Sequence, residues 1–345
     1  MIFKLFACCV PVKGALRSTI CDLQRRTFSF IPNKLYELLI DCKDKDINFI
    51  KKYFENKYDK QIDEYYDFLL KKEYGFLCDN PNQFPDIDMV WKMPFTITNA
   101  IIDFNLQSNH DIVNIAKELE ILGCLAIQFR FFDVVPLESI QKTLEVFDLS
   151  RIHDIQLLIK NSQSQSIRDI EKLCLINPRL SIIIVHSNKY NKKRKARHCK
   201  TPILYINTKI INHSFCGFVS YNHFVVNITH FTESIRFNTC LNRKISIDAE
   251  GNIKNCPSMT KSYGNIRDTT LREAIEKEGF KDLWYIHKDQ IEVCKDCEFR
   301  HICTDCRAYI QDPNNIYSKP AKCSYDPYTA TWGEANPTNN PLHGQ

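Results

Sequence analysis

The chain has 345 residues, 44% of them hydrophobic and 25% charged, with a formal net charge of +5. That length suits two or three soluble domains, and so small a charge makes no case for nucleic-acid binding. Its nine glycines form neither a P-loop nor a G-x-G-x-x-G, so nucleotide binding through those loops is unsupported. Residues 5–8 hint at a lipoprotein box, but the apolar stretch is too short and Pro11, Lys13 and Arg17 follow soon after. No run of eighteen apolar residues occurs, so no membrane span is predicted and the cytoplasm is the expected location.

Residues 1–78 read as a small binding module. Ser18 to Phe30 is rich in β formers, with Arg25 and Arg26 near a turn. Ile31-Pro32-Asn33 opens a helix with Leu35, Leu38 and Leu39 on one face. Asp46 can cap a second helix running through Phe54, with Ile47, Ile50 and Phe54 along one side. A third helix spans Ile62 to Lys72 and turns Ile62, Tyr65, Tyr66 and Leu69 inward; Gly75 ends it, and Phe76-Leu77 starts a strand. A hairpin followed by three short helices is a winged helix-turn-helix pattern, though any small α/β adaptor would also fit. The third helix sets Asp63, Glu64 and Asp67 against Lys71 and Lys72, a poor phosphate surface, so a peptide is the better partner. Residues 79–94, broken by Pro81 and Pro85, form a linker.

From 95 to 230 the pattern alternates. Strands are predicted at Ile97–Phe104, Cys124–Phe131, Ile155–Ile159, Ser181–His186, Ile203–Ile206 and His223–Asn227. Helices are predicted at Ile112–Leu122, Leu137–Phe147 and Ile167–Leu175. Continuously apolar strands joined by amphipathic helices imply a parallel α/β layer or partial βα barrel. The basic run Lys192–Lys195, with Arg197 and Lys200, reads as a loop, either solvated or clamping an acidic partner.

Residues 231–326 hold seven of the sixteen cysteines. Cys240 and Cys256 read C-x10-G-x4-C around Gly251; Cys294, Cys297, Cys303, Cys306 and Cys323 read C-x2-C-x5-C-x2-C-x16-C. Thiolates are soft ligands for zinc or iron–sulfur clusters. Seven exceed one tetrahedral site and fall one short of two. A zinc ribbon built on Cys294, Cys297, Cys303 and Cys306 would leave Cys240, Cys256 and Cys323 idle. The nine other cysteines show no pairing pattern, against a disulfide framework. Residues 327–345 read as a tail.

This third of the chain resembles the SPASM domain, the C-terminal module of radical SAM peptide maturases. Ile245-Ser-Ile-Asp248 through Gly251 to Cys256-Pro257 looks like that family's β-hairpin. Tyr263-Gly-Asn-Ile266 followed by Thr270 to Ile275 looks like its short-helix signature. The resemblance implies two auxiliary [4Fe–4S] clusters, one on Cys240, Cys256 and Cys306, the other on Cys294, Cys297, Cys303 and Cys323. The family's usual extra cysteine just before the position of Cys240 is missing from residues 233–238. That leaves Glu233, solvent, a substrate side chain or Cys216 as the remaining ligand of the first cluster.

A radical SAM barrel carries C-x3-C-x2-C after its first strand. Here Asn105-Leu106 sits in place, but the cysteine positions hold Phe104, Ser108 and Asp111, and the motif occurs nowhere else. No S-adenosylmethionine binding is therefore expected, and the barrel reads as degenerate. The N-terminal order resembles the RiPP recognition element, which binds leader peptides. Together the three parts resemble the SPASM-domain peptide maturase of grasp-with-spasm systems. That resemblance implies an α/β protein acting in maturation of a ribosomal peptide, with a precursor peptide and an ATP-grasp ligase as partners and neither nucleic acid nor membrane. It leaves open a structural role for the clusters, a redox or Lewis-acid role at an open iron, and a zinc-ribbon adaptor.

Overall fold

A computed structural model describes residues 1–196 and 200–333. Arg197 of the basic run and residues 334–345 of the expected tail lie outside them. The described residues divide into two compact units: residues 1–92, 219–239 and 286–333, and residues 93–218 with 240–285.

The first unit begins with β1 (Ile2–Leu5), β2 (Cys9–Val12), β3 (Ser18–Asp22) and β4 (Thr27–Ile31). Helices α1 (Asn33–Asp41), α2 (Ile47–Tyr53) and α3 (Asp59–Lys71) follow, then β5 (Gly75–Cys78). β2, β3 and β4 make an antiparallel sheet, and β5 returns to pair with β1. Asp46 caps α2 by accepting the amides of Asn48 and Phe49, as expected. The central strand β3 is buried along its whole length. Because successive side chains alternate, Ile20 joins one core with Leu35, Ile50, Ile62 and Leu69. Cys21 enters another, with Val12, Phe231, Phe299, Ile302 and Tyr325. The N-terminal sheet thus shares a core with the cysteine-rich segment. Phe299 is fully buried there, with Phe28 and Phe30 each 5.7 Å away ring to ring. Burial of one such ring contributes about 2–3 kcal/mol.

The second unit holds β6 (Asn99–Phe104), α4 (Ile112–Leu122), β7 (Ala126–Phe131), α5 (Leu137–Glu145), β8 (Asp154–Lys160) and α6 (Ile167–Ile176). β9 (Leu180–His186), β10 (Lys192–Lys195), β11 (Pro202–Tyr205), β12 (Lys244–Ile247) and β13 (Ile253–Lys254) complete its strands. One eight-stranded sheet runs β10-β11-β9-β8-β7-β6-β12-β13. Its six inner strands pair in parallel, and β10 and β13 close the edges antiparallel. β6 to β9 lie side by side in chain order, each joined to the next through a helix, as the alternating pattern requires.

Two expectations need correcting. Lys192–Lys195 is not a loop: it is an edge strand, where exposed lysines are tolerated and discourage further pairing. The apolar run His223–Asn227 is not a strand. A 3-10 turn occupies Tyr221–His223, and Asn227 caps the helix Ile228–Ser234 by accepting the His230 amide at 2.9 Å.

Candidate metal centres

In the first unit, Cys294 opens a 3-10 turn over Cys294–Asp296, and the Cys297 amide closes on the Cys294 carbonyl at 3.0 Å. That tight turn brings the two cysteines of the C-x2-C pair close together in the backbone. The Phe299 amide points at Cys297 Sγ from 3.5 Å, and the Cys303 amide bonds the Phe299 carbonyl at 2.9 Å. Cys294 and Cys303 are buried; Cys297 and Cys323 are half-buried. Cys294, Cys303 and Cys323 act on one another electrostatically, and Cys297 feels both Cys294 and Cys303. Each of the four cysteines assigned by resemblance to the second cluster is therefore near enough to act electrostatically on at least one other. Burial pushes the Cys303 thiol up to about 12, against the pull of Lys288. Cys294 and Cys297 are raised by burial too.

Lys288 was not marked by the sequence reading. It is buried, 4.0 Å from Cys294 Sγ and 3.6 Å from Asp305 Oδ1. Burial alone would favour its neutral form. The surrounding Cys294, Cys303, Asp305 and Cys323 outweigh that and hold its pKa well above the ordinary range. A buried ammonium against several thiols is suited to a site whose occupied form carries negative charge.

In the second unit, β12 and β13 form the expected hairpin ahead of Cys256. Gly251 turns it at φ 88, where a Cβ would meet the Asn265 side-chain oxygen at 3.0 Å. Gly264 runs at φ 131 against Thr269, and Asn265 Nδ2 donates to the Glu250 carbonyl at 3.1 Å. The helix Leu271–Glu276 then starts at a capping box of Thr270 and Glu273. Asn255 fixes the approach to Cys256, its Nδ2 donating to the carbonyls of Leu241 at 3.0 Å and Lys244 at 2.7 Å. Cys256 is buried and Cys240 half-buried. Lys244 Nζ lies 3.5 Å from Cys240 Sγ. Burial would lower its pKa, but Cys240, Cys256 and Cys216 together raise it. Each cysteine group thus has its own lysine, Lys288 buried and Lys244 half-buried. Cys306, the third ligand assigned to this cluster, is buried and belongs to the first unit.

The three positions where a radical SAM triad would stand are committed to structure. Phe104 stacks on Phe131 at 4.6 Å. Ser108 Oγ donates to the Ala249 carbonyl at 2.7 Å. Asp111 caps α4 by accepting the Asn114 amide at 3.0 Å. Leu106 is 77% exposed, so it is no core residue. Nearby, Asp103 and Arg130 form a buried bidentate pair at 2.5 and 2.7 Å, which the sequence did not announce. A separate grouping in the first unit brings Cys8, Cys9 and Asp22 within 4.8 Å of one another. There Asp22 already accepts the amides of Gln24 and Arg25, closing the β3–β4 turn.

The donor sets fit soft-metal cofactors: buried and half-buried thiols in each unit, with a lysine beside each group. Residues 239–298 match the SPASM family model, described as an iron–sulfur cluster-binding domain. That span includes Cys240, Cys256, Cys294 and Cys297, and the match implies iron–sulfur binding. Among curated proteins, no sequence matches the chain. Among solved structures, Streptococcus suis SuiB bound to S-adenosylmethionine is similar at 10% identity and a TM-score of 0.33, covering 93% of this chain and 98% of that one. SuiB bound to its precursor peptide SuiA is similar at 8% identity and a TM-score of 0.32, with the same coverage. At such scores the likeness carries no argument about activity.

Proposed function

We propose that this protein is a maturation factor for a ribosomally synthesised, post-translationally modified peptide of the graspetide type. In this reading it binds the precursor peptide, its ATP-grasp ligase, or both, through a scaffold stapled by two [4Fe–4S] clusters, and it does not perform the usual radical SAM chemistry. Cys240, Cys256 and Cys306 would hold the first cluster; Cys294, Cys297, Cys303 and Cys323 would hold the second. Bound clusters would crosslink distant segments and offer one-electron redox chemistry. The observation that carries the reading is the pairing of two lysine-flanked cysteine groups with a barrel strand whose triad positions are Phe104, Ser108 and Asp111. No soft ligand is available there to hold a cluster for S-adenosylmethionine.

The peptide would dock on the N-terminal module, which this reading takes as a degenerate relative of the winged-helix recognition elements. A cleft of about 370 Å³ beside β2 supports this, with Val10, Leu38, Leu39 and Tyr66 in its walls. Among the described residues β2 pairs with β3 and with no other strand, which leaves its other edge for strand addition. The test begins with anaerobic purification and assay of iron, sulfide and zinc, continues with S-adenosylmethionine plus dithionite, and ends with a search of the gene neighbourhood for a short precursor gene and binding of its labelled leader. About eight irons, no 5′-deoxyadenosine and saturable leader binding are expected. Zinc without iron, or 5′-deoxyadenosine at catalytic levels, would overturn the reading.

A further inference from the structure

We infer that Cys216 supplies a thiolate to the metal centre held by Cys240 and Cys256, so that this centre has no iron open to solvent or substrate. The inference rests on the iron–sulfur reading above and deepens it at one position. Cys216 is 24 residues before Cys240 and lies outside the span that matches the iron–sulfur domain model. Nothing in its spacing marks it as a ligand. Geometry does.

Cys216 follows the 3-10 turn His213–Phe215, itself capped by Asn212, whose side chain accepts the Ser214 amide at 2.9 Å. The Cys216 thiol lies within hydrogen-bonding reach of the Cys256 thiol. It also lies 3.3 Å from Ser258 Oγ and 3.2 Å from the His213 carbonyl. Ser258 Oγ donates to that same carbonyl at 3.1 Å. The loop carrying Cys216 is therefore tied to the loop carrying Cys256 on both sides of the sulfur, which fixes where the thiol points.

Charge is arranged to match. Lys244 lies among Cys216, Cys240 and Cys256. Arg130 faces Cys216 and Cys256 while holding Asp103. Three soft donors of one compact unit thus share two cations, Arg130 buried and Lys244 half-buried. A structural cysteine in an apolar core would need neither. The competing candidate from sequence, Glu233, is a hard carboxylate donor, less suited to iron–sulfur than a thiolate. Cys216 also walls a cavity of about 150 Å³ with Arg130, Leu158, Ile184 and Phe215.

The experiment compares anaerobically purified full-length protein with Cys216→Ala, Cys216→His and, as a control, Cys124→Ala. Cys124 is a buried cysteine of the same unit, in the apolar core. Iron and sulfide content, Mössbauer spectra and the potentials of both clusters are measured. The inference expects Cys216→Ala to lose up to about four irons or to show a three-iron species. It expects Cys216→His to keep iron but raise the potential of one cluster only, as imidazole-for-thiolate replacement does. Cys124→Ala should match the parent. If the parent holds iron and both Cys216 variants leave content, spectra and potentials unchanged, Cys216 is not a ligand, and the iron–sulfur reading stands without it. If the parent holds no iron, the underlying reading fails first. Should Cys216→Ala not fold, the potential of Cys216→His decides the matter alone.

Discussion

Asp305 is buried and faces three donors. Asn238 Nδ2 lies 2.6 Å away, Arg307 Nη2 2.9 Å and Lys288 Nζ 3.6 Å. Arg307 in turn donates to the carbonyls of Ile316 at 3.0 Å and Ser318 at 2.7 Å, tying down the loop that leads to Cys323. Removing the carboxylate would leave a guanidinium and an ammonium buried without their counter-charge, a loss of about 3–5 kcal/mol. Asp305→Ala should therefore lower the melting temperature by at least about 6 °C and reduce the iron retained through purification. A melting temperature within a degree of the parent would remove this carboxylate from the account. At this scale the sequence was partly legible. Cysteine spacing is written in the chain, so Cys294, Cys303 and Cys323, which act on Lys288, could be named before any fold was known. The lysines could not: Lys244 and Lys288 look like any other surface lysine in sequence, and only their closeness to thiols sets them apart. The Asp103–Arg130 pair was hidden for the same reason, since partners on adjacent strands leave no local spacing to read.

Among the elements, the parallel strands were read from their continuous apolar runs because both of their faces are covered. β6 to β9 came out within a few residues of expectation. Edges were read poorly. β10 is built of Lys192 to Lys195, which no propensity scale would place in a strand, and it forms because β11 offers a free edge. The reverse error at His223–Asn227 came from counting apolar residues without weighing Ser220 and Asn227, whose side chains favour turns and caps. Caps also explain why α4 starts where it does. Asp111 holds the Asn114 amide, in a position where the resemblance would place a cluster ligand. Asp111→Ala should destabilise the second unit by about 1 kcal/mol, and Asp111→Asn by a few tenths. Both are measurable as shifts in the urea midpoint. An Asp111→Asn variant as unstable as Asp111→Ala would mean the carboxylate does something beyond capping.

Across the first unit, the N-terminal sheet and the cysteine-rich segment cannot be stable independently of one another. β3 feeds Ile20 into the helical core and Cys21 into the core built on Phe299, Ile302 and Cys303. Arg17 reinforces the joint, with Nε 2.8 Å from Glu298 Oε1 and its guanidinium 3.5 Å over the Phe30 ring. The Thr19 hydroxyl donates to the Glu298 carbonyl at 3.0 Å, and the Ala15 amide to Asp296 at 2.7 Å. Glu298 and Asp296 flank Cys297. A metal that orders the Cys294–Cys303 loop therefore orders the surface on which β2, β3 and β4 rest, and its binding energy becomes folding energy for a sheet that holds no assigned ligand. Stripping the metal with a chelator under anaerobic conditions should raise amide exchange in Ser18–Asp22 by at least tenfold, about 1.4 kcal/mol of lost protection. Exchange in Asp154–Lys160, at the centre of the other unit's sheet, should change far less. The same treatment should weaken leader binding even though the cleft beside β2 contains none of the assigned ligands. If β3 keeps full protection after complete metal loss, the sheet is held by apolar packing alone, and the metal centre near Cys297 has no part in presenting the peptide site.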